Sequence, residues 1–89
     1  MRRVELPATI DIATCDAVRD TLAGEHGDLV LDGGAVRRID AAGLQLIVAA
    51  VAAAHVRGAA ASWHAVSPVL VEAAAVTGLA AALGLDRKG

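Results

Sequence analysis

The strongest constraint on the fold is one long helical pattern. Between Asp40 and Gly58, apolar residues recur at the spacing of one helix face. Asp40 is a favoured N-cap, and Gly58 marks the end of the pattern. A helix of this kind must bury its apolar face against another element, so the chain requires a packed core. The residues of this face are Leu44, Ile47, Val48, Val51 and His55.

Three further segments have the sequence pattern of β-strands. Residues 28–32 are apolar between acids and glycines, which predicts a buried central strand. Residues 59–66 predict another strand. Residues 3–12 alternate between polar and apolar side chains and are interrupted by Pro7, which predicts a short edge strand or a hairpin.

Two more helices are predicted from their start and stop signals. Thr14 is a candidate N-cap for a helix over residues 13–23. Ser67 and Pro68 begin a second pattern that ends at Gly78, followed by a short apolar segment. The alternation of strands and helices predicts an α/β fold with a small mixed β-sheet, covered by helices largely on one side.

The length of the chain allows one domain. Its 89 residues fall below the usual domain size of roughly 100 to 150 residues. We predict a single domain over residues 1–89 with its core at about residues 3–85. A chain of this size buries only about 60% of its unfolded surface, so a deep enclosed active site is not expected.

Composition and charge exclude several function classes. Eight basic and ten acidic residues give a net charge of −2, so no attraction to nucleic acid is expected. The apolar run over residues 46–54 is too short to span a membrane, and we expect no direct membrane insertion. The only cysteine, Cys15, cannot form a disulfide within the chain, which predicts a reducing, cytoplasmic setting.

The sequence contains no recognisable catalytic or metal-binding set. Residues 22–61 contain no Ser, Thr, Tyr or Cys. His55 and His64 have no ligating residues at metal-binding spacing, and we interpret both as side chains at the edge of the core. The sequence therefore predicts a protein that is not an enzyme and that binds no cofactor and no metal ion.

The opposite face of the long helix is almost free of charge. Gln45, Ala49 and Ala52 lie on it, whereas solvated helix faces usually carry Lys and Glu. This pattern indicates a surface for another protein. The alternative is a general alanine bias, because alanine is also abundant elsewhere in the chain.

The central part of the chain resembles the STAS domain family, which includes bacterial anti-sigma factor antagonists. In that family a hydrophobic strand and a connector lead to Asp-x-Ser/Thr-Gly-Leu at the start of a helix. Here the strand contains Val30-Leu31-Asp32, and the motif reads Asp40-Ala41-Ala42-Gly43-Leu44. Ser67-Pro68 and Thr77-Gly78-Leu79 resemble the family's third helix, so the likeness covers nearly the whole chain.

The resemblance implies a non-enzymatic regulatory module for signal transduction that docks on a partner protein. Ala42 stands where antagonist members carry a phosphorylatable Ser or Thr, so the usual phosphorylation switch is predicted to be lost. The predicted docking residues are Asp40, Ala41, Ala42, Gly43, Leu44, Gln45, Ala49 and Ala52.

The resemblance leaves several partners open. They are an anti-sigma factor of the histidine-kinase-like ATPase type, a chemotaxis protein, and the ATPase of a phospholipid-transport ABC complex. A second copy of the chain is a further candidate, which would give a homodimer. A different alternative is a small-molecule sensor that binds a nucleotide or another anion near Gly34 and Arg38.

Overall fold

The computed structural model describes residues 2–23 and 27–85, and it confirms the α/β fold class. Strands and helices alternate along the chain, as the hydrophobic patterns predict. Within the described residues the strands are β1 (Arg2–Glu5), β2 (Thr9–Ile10), β3 (Leu29–Gly33), β4 (Arg38–Ile39) and β5 (Ala61–Val66).

The strands form two small parallel sheets. The larger has the order β1-β3-β5, which confirms the buried central strand, and the smaller pairs β2 with β4. For residues 3–12 the edge strand is confirmed, because β1 lies at the edge of the larger sheet, whereas the alternative of a hairpin is wrong, because β1 and β2 pair with different partners. The described pairs are parallel, whereas the sequence predicts a mixed sheet. Each connection between paired strands contains a helix, which is the crossover that parallel pairing requires.

The described residues contain four helices, which pack against one another and against the two sheets. The third has the predicted cap, because the Ser67 hydroxyl accepts a hydrogen bond from the Leu70 N–H at 3.2 Å. Gly78 ends it with a φ of 76°. In the first helix the Thr14 hydroxyl accepts instead from the Asp11 N–H, so it does not cap the helix as predicted. The helices are α1 (Cys15–Ala23), α2 (Ala41–Val56), α3 (Pro68–Thr77) and α4 (Ala80–Leu83).

The core lies between the helices and one face of the sheet. Burial alternates along β3, where Leu29 and Leu31 are buried. The opposite face of the sheet carries exposed side chains, including Arg3 and His64. This arrangement agrees with the prediction of helices largely on one side. No helix in the described part of the chain is long and apolar enough to cross a membrane.

The orientation of α2 differs from the prediction at one residue. His55 is exposed, although its spacing places it on the predicted apolar face. The buried set is Gly43, Leu44, Ile47, Val51 and Ala54. Successive residues of an α-helix are about 100° apart around its axis, so the centre of the buried set lies roughly 70° around the axis from His55. His55 also lies close to the end of the helix.

Candidate docking site

The start of α2 is fixed by Asp40. Its carboxylate Oδ1 accepts a hydrogen bond from the Gly43 N–H at 2.9 Å, and its carbonyl oxygen accepts from the Leu44 N–H at 3.0 Å. The Asp40 N–H donates in turn to the Ile10 carbonyl of β2 at 3.1 Å. The predicted N-cap is thus confirmed, and the cap is also joined to the smaller sheet.

The second carboxylate oxygen of Asp40 brings a residue to the site that the sequence analysis missed. Asp40 Oδ2 accepts from the Ile12 N–H at 3.3 Å, across 28 positions of sequence. The Ile12 side chain is 81% exposed. Ile10 and Ile12 alternate with a polar residue, as two buried residues of one strand would, so no local sequence signal indicates that Ile12 is exposed. The structure thus places an exposed apolar side chain beside the motif.

Two predicted docking residues are buried in the chain's own fold. A Cβ on Gly43 would lie 2.6 Å from the Ile10 carbonyl oxygen and 2.7 Å from Ile10 Cγ2. Gly43 therefore permits a close approach between α2 and β2. Leu44 is 2% exposed and belongs to the core. Both residues are therefore buried within the fold and are not exposed to another protein.

The remaining predicted docking residues are exposed. Positions 42, 45, 49 and 52 are three or four residues apart, so they share one side of α2. Together with Ile12 they form what we call the motif surface. The motif surface consists of Ile12, Asp40, Ala41, Ala42, Gln45, Ala49 and Ala52.

The motif surface is nearly free of charge. Asp40 is its one ionisable residue, and both of its carboxylate oxygens accept backbone N–H groups. These bonds and the positive end of the helix dipole offset its negative charge. The surface therefore offers small side chains and one larger apolar side chain to a partner.

Gly34 and Arg38 do not meet in a common site. Arg38 lines a cavity of about 460 Å³ with Arg37 and Asp40. Gly34 lines a different cavity, together with Asp32. The Gly34 N–H already donates to Asp32 Oδ1 at 3.1 Å. That bond is the main reason that the pKa of Asp32 is lowered.

The environment of Gly34 is therefore acidic. Glu5 lines the same cavity as Asp32, and the Asp32 carboxylate occupies the N–H group that an anion would need. Arg3 pairs with Asp32 at 3.0 Å, which also lowers the pKa of Asp32. This geometry does not support the anion site predicted between Gly34 and Arg38.

Other candidate chemical groups lie apart from the motif surface. Cys15 is buried in α1, and His64 lies on the exposed face of β5. Over residues 2–23 and 27–85, no three or more His, Cys, Asp or Glu side chains come together in a way that could hold a metal ion. The described structure thus brings no second set of functional side chains to α2.

We expect the Asp40→Ala variant to lower the free energy of unfolding by about 2 kcal/mol, because the Gly43 and Ile12 N–H groups both lose their charged acceptor. Asp40→Asn is the matched control. Its side-chain oxygen can still accept from the Gly43 N–H, so its loss should stay below about 1 kcal/mol. Urea unfolding followed by the fluorescence of Trp63, the only aromatic residue, measures both values. Equal stability of Asp40→Ala and the wild type would contradict the capping role.

Comparison with known proteins identifies the family. The family model described as Mlab, STAS domain, matches residues 2–86, which is nearly the whole chain. No curated protein matches the sequence. STAS domains are in general non-enzymatic modules that bind other proteins, which supports a regulatory protein-interaction module here. The match and the parallel α/β fold agree with the resemblance found at the Asp40 motif, and the chain belongs to the STAS domain family.

Proposed function

We propose that the chain is a non-enzymatic regulatory module that docks on a protein partner through the motif surface. The observation that carries this proposal is the placement of exposed Ile12 beside the exposed, uncharged start of α2. The one ionisable group of the motif surface, the Asp40 carboxylate, already accepts two backbone N–H groups, so the surface loses little hydration free energy when a partner covers it. Its small side chains also allow a partner's backbone to come close.

The hydrogen bonds of Asp40 prepare this surface for binding. Asp40 joins the Ile12 backbone to the first turn of α2, so both sides of the surface are held in place before a partner arrives. Alanine side chains have no rotamer freedom to lose on binding. The cost of ordering the surface is therefore small, and more of the contact energy is retained as affinity.

Ala42 sets the proposed mode of regulation. It is exposed in the first turn of α2, at the position that the family resemblance assigns to a phosphorylatable hydroxyl. A methyl group cannot accept phosphate. Phosphorylation at the motif position therefore does not regulate docking through this surface.

The proposed partners are those that the family resemblance implies. They are a histidine-kinase-like ATPase that acts as an anti-sigma factor, a chemotaxis protein, or the ATPase of a phospholipid-transport ABC complex. The absence of a hydroxyl at position 42 weighs against the first partner relative to the other two. Each of these pathways would place the chain in the cytoplasm of a bacterium.

We expect no phosphate on residues 22–61 after incubation with ATP and a captured partner that has kinase activity, because this segment contains no hydroxyl side chain. The Ala42→Ser variant is the control, since it restores the hydroxyl at the motif position and should accept phosphate. Peptide mass spectrometry locates the modification. Phosphate on any residue of 22–61 in the wild type would contradict the proposed mode of regulation.

Parallel affinity capture from native lysate tests the docking function. The baits are the wild-type chain, the Ala42→Glu variant and a control, Ala75→Glu, which changes an exposed alanine of α3. We expect the wild type and the control to retain the same ATPase or chemotaxis protein, and Ala42→Glu to lose it. A partner retained by all three baits would place the docking site elsewhere.

A further inference from the structure

A groove of about 300 Å³ lies between α1 and α2. Leu22 and Leu29 contribute to its apolar floor, and both are almost completely buried. Ala49 and Ala53 of α2 line it from an exposed side of the helix. Exposed helix positions usually carry long polar side chains, so these two methyl groups are what leave the groove open. Its volume is at the lower end of the range for ligand sites, roughly 300 to 1,000 Å³.

Within residues 2–23 and 27–85, the charged residues that line this groove are Arg19 of α1 and Arg57, the C-cap of α2, and no carboxylate of these residues lines it with them. Arg57 Nη2 donates to the Gly27 carbonyl at 3.4 Å, which is a long hydrogen bond. Arg19 pairs with Asp16, whose side chain is 92% exposed, and pairs of this kind are weak. Each of these described contacts uses only part of the five N–H donors of a guanidinium group, so both groups keep donors for an anion.

Two other cavities do not combine an apolar lining with basic residues alone. The apolar cavity between β1 and α1 has Glu5 as its only charged residue, which disfavours an anion. The cavity beside the motif contains Arg37 and Arg38, but Asp11 and Asp40 line it as well. Among the residues that the structure describes, the lining of the groove between α1 and α2 combines an apolar floor with two cations and no acid.

We propose that this groove binds an amphiphile with one unbranched apolar chain and one terminal carboxylate. The apolar chain of the ligand covers Leu22 and Leu29, and its transfer out of water provides binding free energy. The carboxylate pairs with the guanidinium groups of Arg19 and Arg57, whose planar N–H donors match carboxylate geometry. The site is separate from the docking function proposed above, although Ala49 borders both surfaces.

Dodecanoate below its micelle concentration is the probe for this site. With the wild-type chain, calorimetry should show saturable binding at one site, and the amide NMR signals of Ala49 and Ala53 should shift. Each fully buried methylene contributes about a fourfold gain in affinity, so decanoate should bind up to about fifteenfold more weakly. Acetate should not bind, and dodecyltrimethylammonium should bind more weakly than dodecanoate.

Three variants distinguish the contribution of the ligand's apolar chain to affinity from the contribution of its carboxylate. Replacing Arg19 and Arg57 together by Gln should lower the dodecanoate affinity about tenfold and leave binding of neutral dodecan-1-ol unchanged. Arg37→Gln removes an exposed arginine outside the groove and should have no effect. Ala53→Leu fills the groove from an exposed position and should abolish binding of both probes. Circular dichroism verifies that each variant is folded.

Several outcomes would overturn the proposal. They are a lack of saturable dodecanoate binding, equal affinity of the double arginine variant, and NMR shifts centred on the cavity that contains Glu5. If dodecanoate does not bind and Ala53→Leu instead prevents capture of a protein partner, the groove belongs to a protein interface. Loss of partner capture by Ala42→Glu does not affect the interpretation of the dodecanoate measurements, so the two proposals can fail independently.

Discussion

The Ala42→Glu variant is expected to bind the protein partner at least about thirtyfold more weakly than the wild type, while its fold stays intact. Docking would cover a carboxylate for which the motif surface provides no cation, and an unpaired buried charge costs about 2 to 5 kcal/mol. The fold should tolerate the change because Ala42 is exposed. A negative charge in the first turn of α2 also interacts favourably with the helix dipole.

Two controls isolate the charge in this experiment. Ala42→Gln adds a side chain of nearly the same size without the charge, and Ala75→Glu adds the charge on α3. Both should keep an affinity within about tenfold of the wild type, as measured by calorimetry with the purified partner. An unchanged affinity of Ala42→Glu would show that the partner contacts another face of the chain.

Gly43→Ala is expected to destabilise the chain by about 2 kcal/mol and to lower the melting temperature by roughly 10 °C. The added Cβ would lie 2.6 Å from the Ile10 carbonyl oxygen, so β2 or α2 must shift. The better helix propensity of alanine, about 1 kcal/mol, offsets only part of this cost. Because β2 leads directly to Ile12, the shift should also weaken partner binding.

Gly58→Ala provides the comparison for this variant. Gly58 has a φ of 79°, and a Cβ there would meet no atom within 4 Å, so the change tests backbone strain without a clash. Its cost should be about 1 kcal/mol, with no effect on partner binding. Thermal unfolding and calorimetry with the partner measure both quantities. If Gly43→Ala proves no less stable than Gly58→Ala, the close contact with β2 does not restrict this position.

The elements that the sequence predicts well are those set by local signals. The α2 cap at Asp40 and the α3 cap at Ser67 depend on hydrogen bonds to N–H groups three residues away, which the sequence shows directly. The buried strand β3 is a short apolar run between turn residues. The motif at Asp40 was sufficient to indicate the family.

Features that depend on distant contacts were not predicted. The alternating residues around Pro7 indicate extended chain, but they do not reveal that β2 pairs with β4 across the whole of α1 and β3. The close contact between Gly43 and Ile10 likewise joins distant parts of the chain, so the sequence does not show that a side chain at position 43 would clash with β2. The exposed Ile12 is placed beside the motif by a backbone hydrogen bond to Asp40, 28 residues away.

The small charge of the motif surface has a consequence for the kinetics of complex formation. Asp40 is its one ionisable residue, and its charge is already offset by two backbone N–H groups. A surface of this kind provides little electrostatic steering, so for the proposed docking we expect an association rate constant in the neutral range of about 10⁵ to 10⁶ M⁻¹s⁻¹ with a weak dependence on salt. The lifetime of the complex is then set by its dissociation rate. Under the proposed constitutive docking, the amount of complex then depends on how much of each protein is present.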